Sequence, residues 1–258
     1  MNSGVRMLNK PTDYIASLAK GLRVIEAFGA DTPRLSIAEA ASATGLDRAT
    51  ARRVLLTLAR EGYADYDGKF FTLTPRVLRL GVSALASLPL PQLVQPWLDQ
   101  LSEQIGESCS VALLDETEIV YVARAAQKRV MSIGLMPGSR LPAFCTSMGR
   151  ILLASLPREQ AIALIEKSDL TPRTPFSVTD PAEIIRRVEQ ARENGFAVID
   201  QEVELGLCSI AIPLFDKHGR TVAALNIGLS ATSADAATLA ERFLPKLLSV
   251  QSGLRRVL

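Results

Sequence analysis

The chain has 258 residues, 48% of them hydrophobic, which is enough for one large or two ordinary domains with a real core. The chain has 29 basic and 27 acidic residues. Residues 1–88 contain 12 basic and 8 acidic residues, and the rest contains 17 basic and 19 acidic ones, so the first third is mildly basic. The three cysteines are scattered and form no CxxC pair, and there is one histidine, so a disulfide framework and a zinc site are not expected. The sequence has no apolar leader and no run of about 18 apolar residues, which argues against secretion and a membrane span. A reducing cytoplasm is therefore the expected location.

Helical spacing predicts three helices in the first part of the chain. Apolar residues recur with that spacing over residues 14–28. Ser36 and Glu39 form a capping box for a short second helix, which ends at Gly45. Asp47 caps a third helix directly after this turn. Two helices joined by a tight turn that contains glycine are typical of the helix-turn-helix.

The periodicity then changes from helix to strand. The segment YADYDGKFFTLT predicts two short strands joined at Asp67-Gly68, which is a strong hairpin signal. Three helices followed by a hairpin indicate a winged helix, over residues 13–74. The next segment, residues 75–88, predicts an amphipathic helix that links two domains. The proline-rich PLPQLVQP, residues 89–96, is interpreted as the boundary between them.

The remainder mixes strands and helices without strict alternation, which predicts an α+β domain over residues 89–258 with a largely antiparallel sheet. A hairpin is expected around Glu116-Thr117, between SCSVALLD and EIVYVARA, and VMSIGLM is a third predicted strand. The segment PGSRLPAFCTSMGRILLASL predicts a long loop that leads into a helix near Ser147. The domain is completed by two amphipathic helices (REQAIALIEKS and PAEIIRRVEQARENG), three further strands (FAVIDQE, CSIAIPLFD and VAALNIGLS) and a helical tail from Ala234.

The third predicted helix carries a high density of positive charge near its N-terminus. Its apolar positions face the small core, and the opposite side presents Arg52 and Arg53, with Arg48 near its edge. Recognition helices read the major groove with such N-terminal residues, where arginine pairs with guanine, and Thr50 can reach a phosphate or a base edge. Lys69 at the hairpin tip suits a phosphate or minor-groove contact. The alternatives are a solvated helix face and a winged helix that serves only as a protein interface.

These motifs, in this order, resemble the IclR family of bacterial transcription regulators over residues 13–255. In the N-terminal half the resemblance rests on SLAKGLRVIEAF, LSIAEAASATGLDRATARRVLLTLAREGY and TLTPRVLRLG. In the C-terminal half it rests on LPAFCTSMGRILLA, GFAVIDQEVELGLCSIAIPL and VAALNIGLSA. The stretches RVMSIGLMPGSRLPAFCTSMGRILLA and DQEVELGL are most similar to the branch that regulates aromatic-acid and β-ketoadipate catabolism, the Pca and Pob type.

The resemblance implies a winged helix-turn-helix, a linker helix and a GAF-like effector-binding and oligomerisation domain. It implies a homodimer or a tetramer on double-stranded promoter DNA, without enzyme activity, cofactor, metal or membrane association. The effector would be a small carboxylic acid, aromatic or dicarboxylic, that changes promoter binding or the recruitment of RNA polymerase. Thr50 and Arg53 match the recognition-helix positions of the family, and Arg48 matches a position that is commonly basic.

The family resemblance also places an effector pocket in three separated segments of the C-terminal half. A helix that begins near Ser147 presents free backbone N–H groups that suit a carboxylate, and an inward Asn226 on an apolar strand needs a partner. The alternatives are ordinary helix capping by Ser147, a strand-end turn at Asp200, a backbone hydrogen bond at Asn226 and plain core packing for the apolar residues. The predicted effector-contacting residues are Met131, Ile133, Thr146, Ser147, Met148, Gly149, Asp200, Ser209, Asn226 and Gly228.

Two departures from the family pattern affect the expected effector. Cys208 stands where the aromatic-acid branch often has a basic residue, and Gly134 and Gly228 stand where larger polar residues are common, which favours a different or less charged ligand. The cysteines also raise two alternative functions, a thiol-based redox-responsive regulator that uses Cys145 or Cys208, and a thiol enzyme. The enzyme requires a base, and the only histidine, His218, falls in a predicted solvent turn.

Overall fold

The computed structural model describes residues 14–29, 32–80, 89–127, 134–233 and 235–258. Contacts between residues divide the chain into two compact units, 1–84 and 85–258. None of the helices in the described ranges is long and apolar enough to cross a membrane.

The N-terminal unit is a winged helix-turn-helix. Its elements are α1 (Ala16–Glu26), β1 (Arg34–Leu35), α2 (Ile37–Thr44), α3 (Arg48–Arg60), β2 (Ala64–Tyr66) and β3 (Phe71–Leu73). The strands form an antiparallel sheet with the order β1-β3-β2. Val24, Leu55 and Phe71 are fully buried between the helices and this sheet. The predicted winged helix is therefore confirmed, with one addition, because the two-residue strand β1 is too short to give a sequence signal.

Local signals set the turn between α2 and α3, as the sequence predicted. The Glu39 carboxylate accepts a hydrogen bond from Ser36 N at 2.7 Å, and Ser36 Oγ accepts one from Glu39 N, which completes the capping box. Gly45 ends α2 with a φ of 65°, a left-handed conformation that favours glycine. Asp47 Oδ1 then accepts from Thr50 N at 2.8 Å and begins α3.

The predicted linker helix, residues 75–88, is described only at its start. Pro75–Val77 form a 3-10 turn, in which the Thr74 hydroxyl accepts a hydrogen bond from Arg76 N, and residues 78–80 are helical. The rest of the predicted linker, residues 81–88, lies outside the described part of the chain.

The C-terminal unit is built on a six-stranded sheet. Its elements are α4 (Pro89–Ile105), β4 (Ser108–Asp115), β5 (Glu118–Ala125), β6 (Arg140–Pro142), α5 (Ser147–Ala154), α6 (Arg158–Lys167), α7 (Pro181–Asn194), β7 (Ala197–Asp200), β8 (Leu207–Phe215), β9 (Thr221–Ser230) and α8 (Leu239–Leu254). The strand order is β6-β5-β4-β9-β8-β7, and every neighbouring pair is antiparallel. The α+β architecture with an antiparallel sheet is thus the one that the sequence predicted.

Two segments of this unit differ from what the sequence indicated. Residues 89–96, PLPQLVQP, which were interpreted as the boundary between the domains, form the first half of α4. Pro89 and Pro91 lie in the first turn, where the backbone N–H groups have no intrahelical partner, so proline is tolerated there. Of the predicted strand VMSIGLM, residues 134–136 are not in a strand, and residues 130–133 lie outside the described ranges.

Different helices cover the two faces of the sheet. Helices α4 and α8 pack on one face, through buried side chains such as Leu98 and Phe243. Helix α5 lies directly on the other face, where it packs with α6 and α7. Ala112, Ala211 and Ala224, one from each of the strands β4, β8 and β9, are fully buried on this face. Because their side chains are small, they leave room for α5 to approach the sheet closely.

Candidate functional site

A row of polar side chains crosses the central strands on the face that α5 covers. Ser110 of β4 pairs with Arg124 of β5 on one side and with Asn226 of β9 on the other, so the three side chains project from the same face. Arg124 Nη1 donates a hydrogen bond to Ser110 Oγ at 2.9 Å. Polar groups lose their hydrogen bonds to water when they are buried, so the side chains of this row need other hydrogen-bond partners.

A β-bulge brings Arg124 and Tyr121 onto the same face. Residues three apart in a regular strand point to opposite faces. The register between β4 and β5 shifts between Val111 and Ala112, so Ala112 pairs with Tyr121 while Ser110 pairs with Arg124. Burial raises the pKa of Tyr121 to about 12, so its hydroxyl stays protonated and able to donate a hydrogen bond.

Arg124 is a half-buried cation without an anionic partner among the described residues. Desolvation lowers the pKa of its guanidinium from the ordinary value, but an arginine keeps its proton in proteins. Within the ranges that the structure describes, no carboxylate forms an ion pair with it. The hydrogen bond to Ser110 compensates the burial of this charge only in part, so the position favours an anionic ligand.

Asn226 contributes a buried acceptor to the same row. Its side chain is 8% exposed, and Oδ1 has no hydrogen-bond partner in the described part of the chain. A buried acceptor left unpaired costs about 1–3 kcal/mol. Native proteins usually satisfy such an atom with a protein group, an ordered water or a ligand.

The N-terminus of α5 borders the row. Thr146, not Ser147, caps this helix, since Thr146 Oγ1 accepts a hydrogen bond from Gly149 N at 3.1 Å. Ser147 Oγ is therefore free to share a hydrogen bond of 2.8 Å with Ser209 Oγ on β8. One hydroxyl of the pair donates to the other, so the accepting hydroxyl keeps a proton for a further partner.

These groups surround a small cavity between α5 and the sheet. Its volume is about 30 Å³, close to the share of one water molecule in the liquid. A cavity that accepts a benzene ring is roughly 150 Å³, so a ring-sized ligand has to displace side chains. The cavity is lined by Ser108, Tyr121, Arg124, Leu135, Leu141, Thr146, Ser147, Met148, Val203, Leu207, Ser209, Asn226 and Gly228.

The structure brings six of the ten predicted effector-contacting residues to this cavity, and Met131 and Ile133 lie outside the described residues. The six are Thr146, Ser147, Met148, Ser209, Asn226 and Gly228.

Gly149 and Asp200 do not line the cavity. A Cβ atom at Gly149 would lie 2.1 Å from the carbonyl oxygen of Ala143, so the close approach at the start of α5 requires a glycine. Asp200 is exposed at the end of β7 and lines a separate open cleft, where its Oδ1 accepts a hydrogen bond from Cys208 Sγ at 3.0 Å. This position agrees with the strand-end alternative for Asp200.

The basic residue of the candidate site was not predicted from the sequence. Cys208 occupies the position where a basic residue was expected, whereas the structure supplies Arg124 from β5. The available signal was an arginine inside the otherwise apolar strand EIVYVARA, because arginine is rarely buried without a partner. The inference that the effector carries less charge therefore loses its basis.

The three cysteines give no support to the redox or enzyme alternatives. All of them are free and buried. Burial raises the pKa of the Cys109, Cys145 and Cys208 thiols to about 12, and the Asp200 carboxylate adds to the effect at Cys208. The thiolate that both alternatives require is therefore strongly disfavoured at neutral pH.

In the N-terminal unit, α3 presents basic side chains to solvent. Arg48, Arg52 and Arg53 are exposed, and none of them forms an ion pair within residues 14–29 and 32–80. Arg53 Nη2 donates a long hydrogen bond of 3.3 Å to Thr50 Oγ1. The guanidinium donors of this surface thus remain available for an external anion.

Thr50, which was predicted to reach a phosphate or a base edge, is not on the exposed side of α3. It is 7% exposed, and it recurs with Val54 and Leu58 at intervals of four residues. This spacing places it on the helix side that faces α1, where the groove between the two helices also includes Arg53. Thr50 therefore supports Arg53 from within the unit.

The wing carries two cations, one of them supplied by β1. Lys69 Nζ lies 5.0 Å from the centroid of the Phe70 ring, and Arg34 Cζ lies 4.5 Å from the same centroid. Arg34 reaches the wing because it pairs with Thr72 of β3. Both cations are exposed. Lys69 was predicted from the sequence, whereas Arg34 was not, because strand β1, which carries Arg34, gave no sequence signal.

A winged helix-turn-helix with exposed arginines on its third helix, followed by a sheet domain with a small cavity that contains polar side chains, defines a class of DNA-binding regulators that respond to ligands. Residues 17–68 match the IclR helix-turn-helix domain, and residues 82–252 match the bacterial transcriptional regulator IclR C-terminal domain. The protein belongs to the IclR family of bacterial transcriptional regulators.

Individual relatives confirm the resemblance to the Pca and Pob branch. The chain is 42% identical over 243 residues to the Pca regulon regulatory protein of Pseudomonas putida, which covers 94% of this chain and 84% of the relative. It is 40% identical over 250 residues to the p-hydroxybenzoate hydroxylase transcriptional activator of Acinetobacter baylyi, with coverage of 95% and 92%. A solved structure that is similar to this chain is a double mutant of the PobR inducer-binding domain from Acinetobacter, in complex with 3-hydroxybenzoic acid. The two sequences are 35% identical and the TM-score is 0.62. The match covers 65% of this chain and 98% of that one.

Proposed function

We propose that the cavity under α5 binds an aromatic carboxylic acid, and that the bound acid changes the affinity of the helix-turn-helix for promoter DNA. The observation that carries the proposal is the half-buried guanidinium of Arg124 at the cavity, which forms no ion pair with any described residue. A carboxylate matches the planar fork of an arginine with two parallel hydrogen bonds. The anion would also relieve the uncompensated charge.

The rest of the lining suits a ring attached to that carboxylate. Tyr121, Leu141 and Met148 are buried at the cavity and offer apolar or aromatic surface. The relatives named above support an aromatic acid, because one activates a p-hydroxybenzoate hydroxylase gene and another binds 3-hydroxybenzoic acid.

Binding of a ring requires the cavity to open. Leu135 lines it from a segment outside the regular strands and helices, so it can move without disturbing the sheet. A ligand that binds only the opened form shifts the domain towards that form. Coupling between effector and DNA sites is typically about 1–3 kcal/mol, and we propose that this opening is the source of the coupling here.

The proposed partner of the N-terminal unit is duplex DNA. Helix α3 would lie in the major groove with Arg48 and Arg52 towards the bases, and Arg34 and Lys69 of the wing would contact phosphates. One winged helix of this size binds a duplex weakly, so we propose a homodimer or tetramer that places recognition helices on half-sites one or more helical turns apart.

Fluorescence polarisation with the full chain tests the effector site. A DNA fragment recovered by selection with the purified protein is titrated with and without benzoate and the hydroxybenzoates. We expect the dissociation constant for DNA to shift about 5- to 150-fold with an active acid. If no aromatic acid binds or changes DNA affinity, the proposed effector class is wrong.

Arg124→Met provides the residue-level test. It should abolish the response to the acid and leave DNA binding without acid unchanged. Arg140→Met is the matched control, because Arg140 is a surface arginine of the same domain, already paired with Asp115 and Glu118 at 2.7 Å. An undiminished acid response in the Arg124 variant would refute the assignment of the carboxylate to this residue.

A further inference from the structure

We infer that Gln95 transmits the binding of a ligand at Arg124 to α4, the helix through which the chain enters the C-terminal unit. The inference rests on the proposed function and names the contact through which a bound acid acts on DNA affinity. It starts from one hydrogen bond, in which Gln95 Nε2 donates to the backbone carbonyl oxygen of Arg124 at 3.1 Å. Arg124 therefore contacts the cavity with its side chain and α4 with its main chain.

A second hydrogen bond fixes the orientation of the Gln95 amide. Nε2 also donates to Asp99 Oδ1, one helical turn further along α4, at 2.8 Å. A carbonyl and an ionised carboxylate only accept hydrogen bonds, so the two hydrogens of the amide nitrogen serve both partners, and a reversed amide would lose both bonds. Apolar contacts allow sliding, whereas a hydrogen bond is directional. A displacement of the Arg124 carbonyl is therefore passed on to Gln95.

The main chain of β5 can adjust at Arg124. This residue is the last but one of the strand, and the register shift between Val111 and Ala112 interrupts its pairing with β4 nearby. Among the described residues, β6 pairs with residues 118–120 of β5 and does not extend to Arg124. A bound carboxylate would draw on the guanidinium that donates to Ser110 Oγ at 2.9 Å. The resulting shift meets less resistance here than in a regular part of the sheet.

Helix α4 can carry this shift towards the N-terminal unit. Pro96 directly follows Gln95 inside the helix, and proline has no N–H for the carbonyl four residues earlier. The two halves of α4 are consequently joined by one hydrogen bond fewer. The first half has one fully buried side chain, Val94, whereas Leu98 and Leu101 anchor the second half in the core. Gln95 thus acts on the less anchored half, which is the one nearer to the N-terminal unit in the chain.

Gln95→Leu in the full chain tests this contact, and Gln251→Leu is the matched control. Gln251 of α8 donates to the carbonyl oxygen of Pro213 at 2.6 Å, on the same face of the sheet, but α8 is the last helix of the chain and does not lead to the N-terminal unit.

Fluorescence polarisation with the selected DNA fragment is carried out with and without the most active acid among benzoate and the hydroxybenzoates. The Gln95 variant should bind DNA alone and the acid alone within about threefold of the wild type. The shift in DNA affinity that the acid causes should fall at least about fivefold, the typical contribution of one hydrogen bond. The Gln251 variant should keep the full shift.

The single tryptophan of the chain provides a second measurement. Trp97 lies on α4 two residues after Gln95 and packs closely against Gly253 of α8. Its fluorescence, corrected for absorption by the acid, should change when the acid binds to the wild type or to the Gln251 variant. The change should be largely lost in the Gln95 variant, because the bound acid then no longer moves α4.

Two results would overturn the inference while leaving the acid site in place. One is a full acid-induced shift in DNA affinity in the Gln95 variant. The other is an unchanged Trp97 emission in the wild type with the acid bound, which decides the question even if the Gln95 variant does not fold. Failure of every acid to bind the wild type would refute the proposed function and this inference together.

Discussion

Arg150 of α5 and Glu202 form a buried ion pair, in which Nη2 and Oε2 are 2.7 Å apart and each side chain is 3% exposed. Arg187 of α7 adds a second contact, 3.0 Å from Glu202 Oε1. Glu202 directly precedes Val203, which lines the cavity. The ion pair therefore joins α5 to the segment that bears this cavity residue.

Glu202→Gln should destabilise the protein markedly. The substitution keeps the shape of the side chain but leaves the Arg150 guanidinium buried without its anion, which costs about 3–5 kcal/mol. Urea unfolding followed by circular dichroism measures the decrease in the free energy of unfolding. Glu116→Gln is the control, because the Glu116–Lys167 pair is exposed on the surface and contributes at most about 1 kcal/mol. Similar unfolding midpoints for the two variants would contradict the structural role of the buried pair.

Two glycines near the cavity should respond in opposite ways to substitution by alanine. Gly149→Ala should lower stability and the melting temperature, because the new Cβ would meet Ala143 O at 2.1 Å. At Gly228 no atom lies within 4 Å of the added Cβ, so Gly228→Ala should fold normally. Its methyl group would occupy space in the cavity, and titration should show weaker binding of the acid. A stable Gly149 variant, or a Gly228 variant with full acid affinity, would contradict these assignments.

Local chemistry made the N-terminal unit predictable. The capping box of Ser36 and Glu39, the left-handed Gly45, the Asp47 cap and the Asp-Gly turn each determine the backbone over a few residues. Such signals do not depend on contacts with distant parts of the chain. Strand β1 was not predicted, because its two residues form a strand only through pairing with β3, which is a long-range contact.

The cavity was less predictable because its polar row depends on register. Arg124, Ser110 and Asn226 meet only through the pairing of three strands, which the sequence does not encode locally. The bulge at Val111 and Ala112 also breaks the alternation that would have placed Arg124 and Tyr121 on opposite faces. Asn226 was predicted as a site residue because a polar residue within an apolar strand is visible in the sequence without knowledge of the strand pairing.

Thiol reactivity should distinguish an acid sensor from a redox sensor. Burial raises the pKa of all three thiols to about 12, so thiolate is scarce in the folded protein at neutral pH and grows only as pH rises towards that value. We expect a disulfide reagent to label the native chain very slowly at pH 8 and to label three thiols after denaturation. Rapid labelling of Cys145 or Cys208 in the native protein, together with impaired DNA binding, would revive the redox alternative.

The wing cations should contribute to DNA affinity without sequence preference. Arg34 and Lys69 flank Phe70 and form no ion pair within the described N-terminal residues. Replacing both by alanine should weaken specific and random duplexes equally. It should also reduce the slope of log K against log salt by about 0.9 for each phosphate that the wing no longer neutralises. An unchanged salt slope would mean that the wing stays away from the phosphates.

Arg52 and Arg53 should differ in how they affect recognition. Arg52 is exposed and does not line the groove between α1 and α3. Arg53 lines this groove and donates a hydrogen bond to Thr50. Each alanine variant should weaken binding to the selected duplex by about 1–3 kcal/mol if the arginine reads a base, while binding to random DNA stays nearly constant. We expect this pattern for Arg52→Ala. For Arg53→Ala, an equal decrease in affinity for both duplexes would assign Arg53 to a phosphate. Equal decreases for Arg52→Ala would instead mean that α3 does not read bases with this residue.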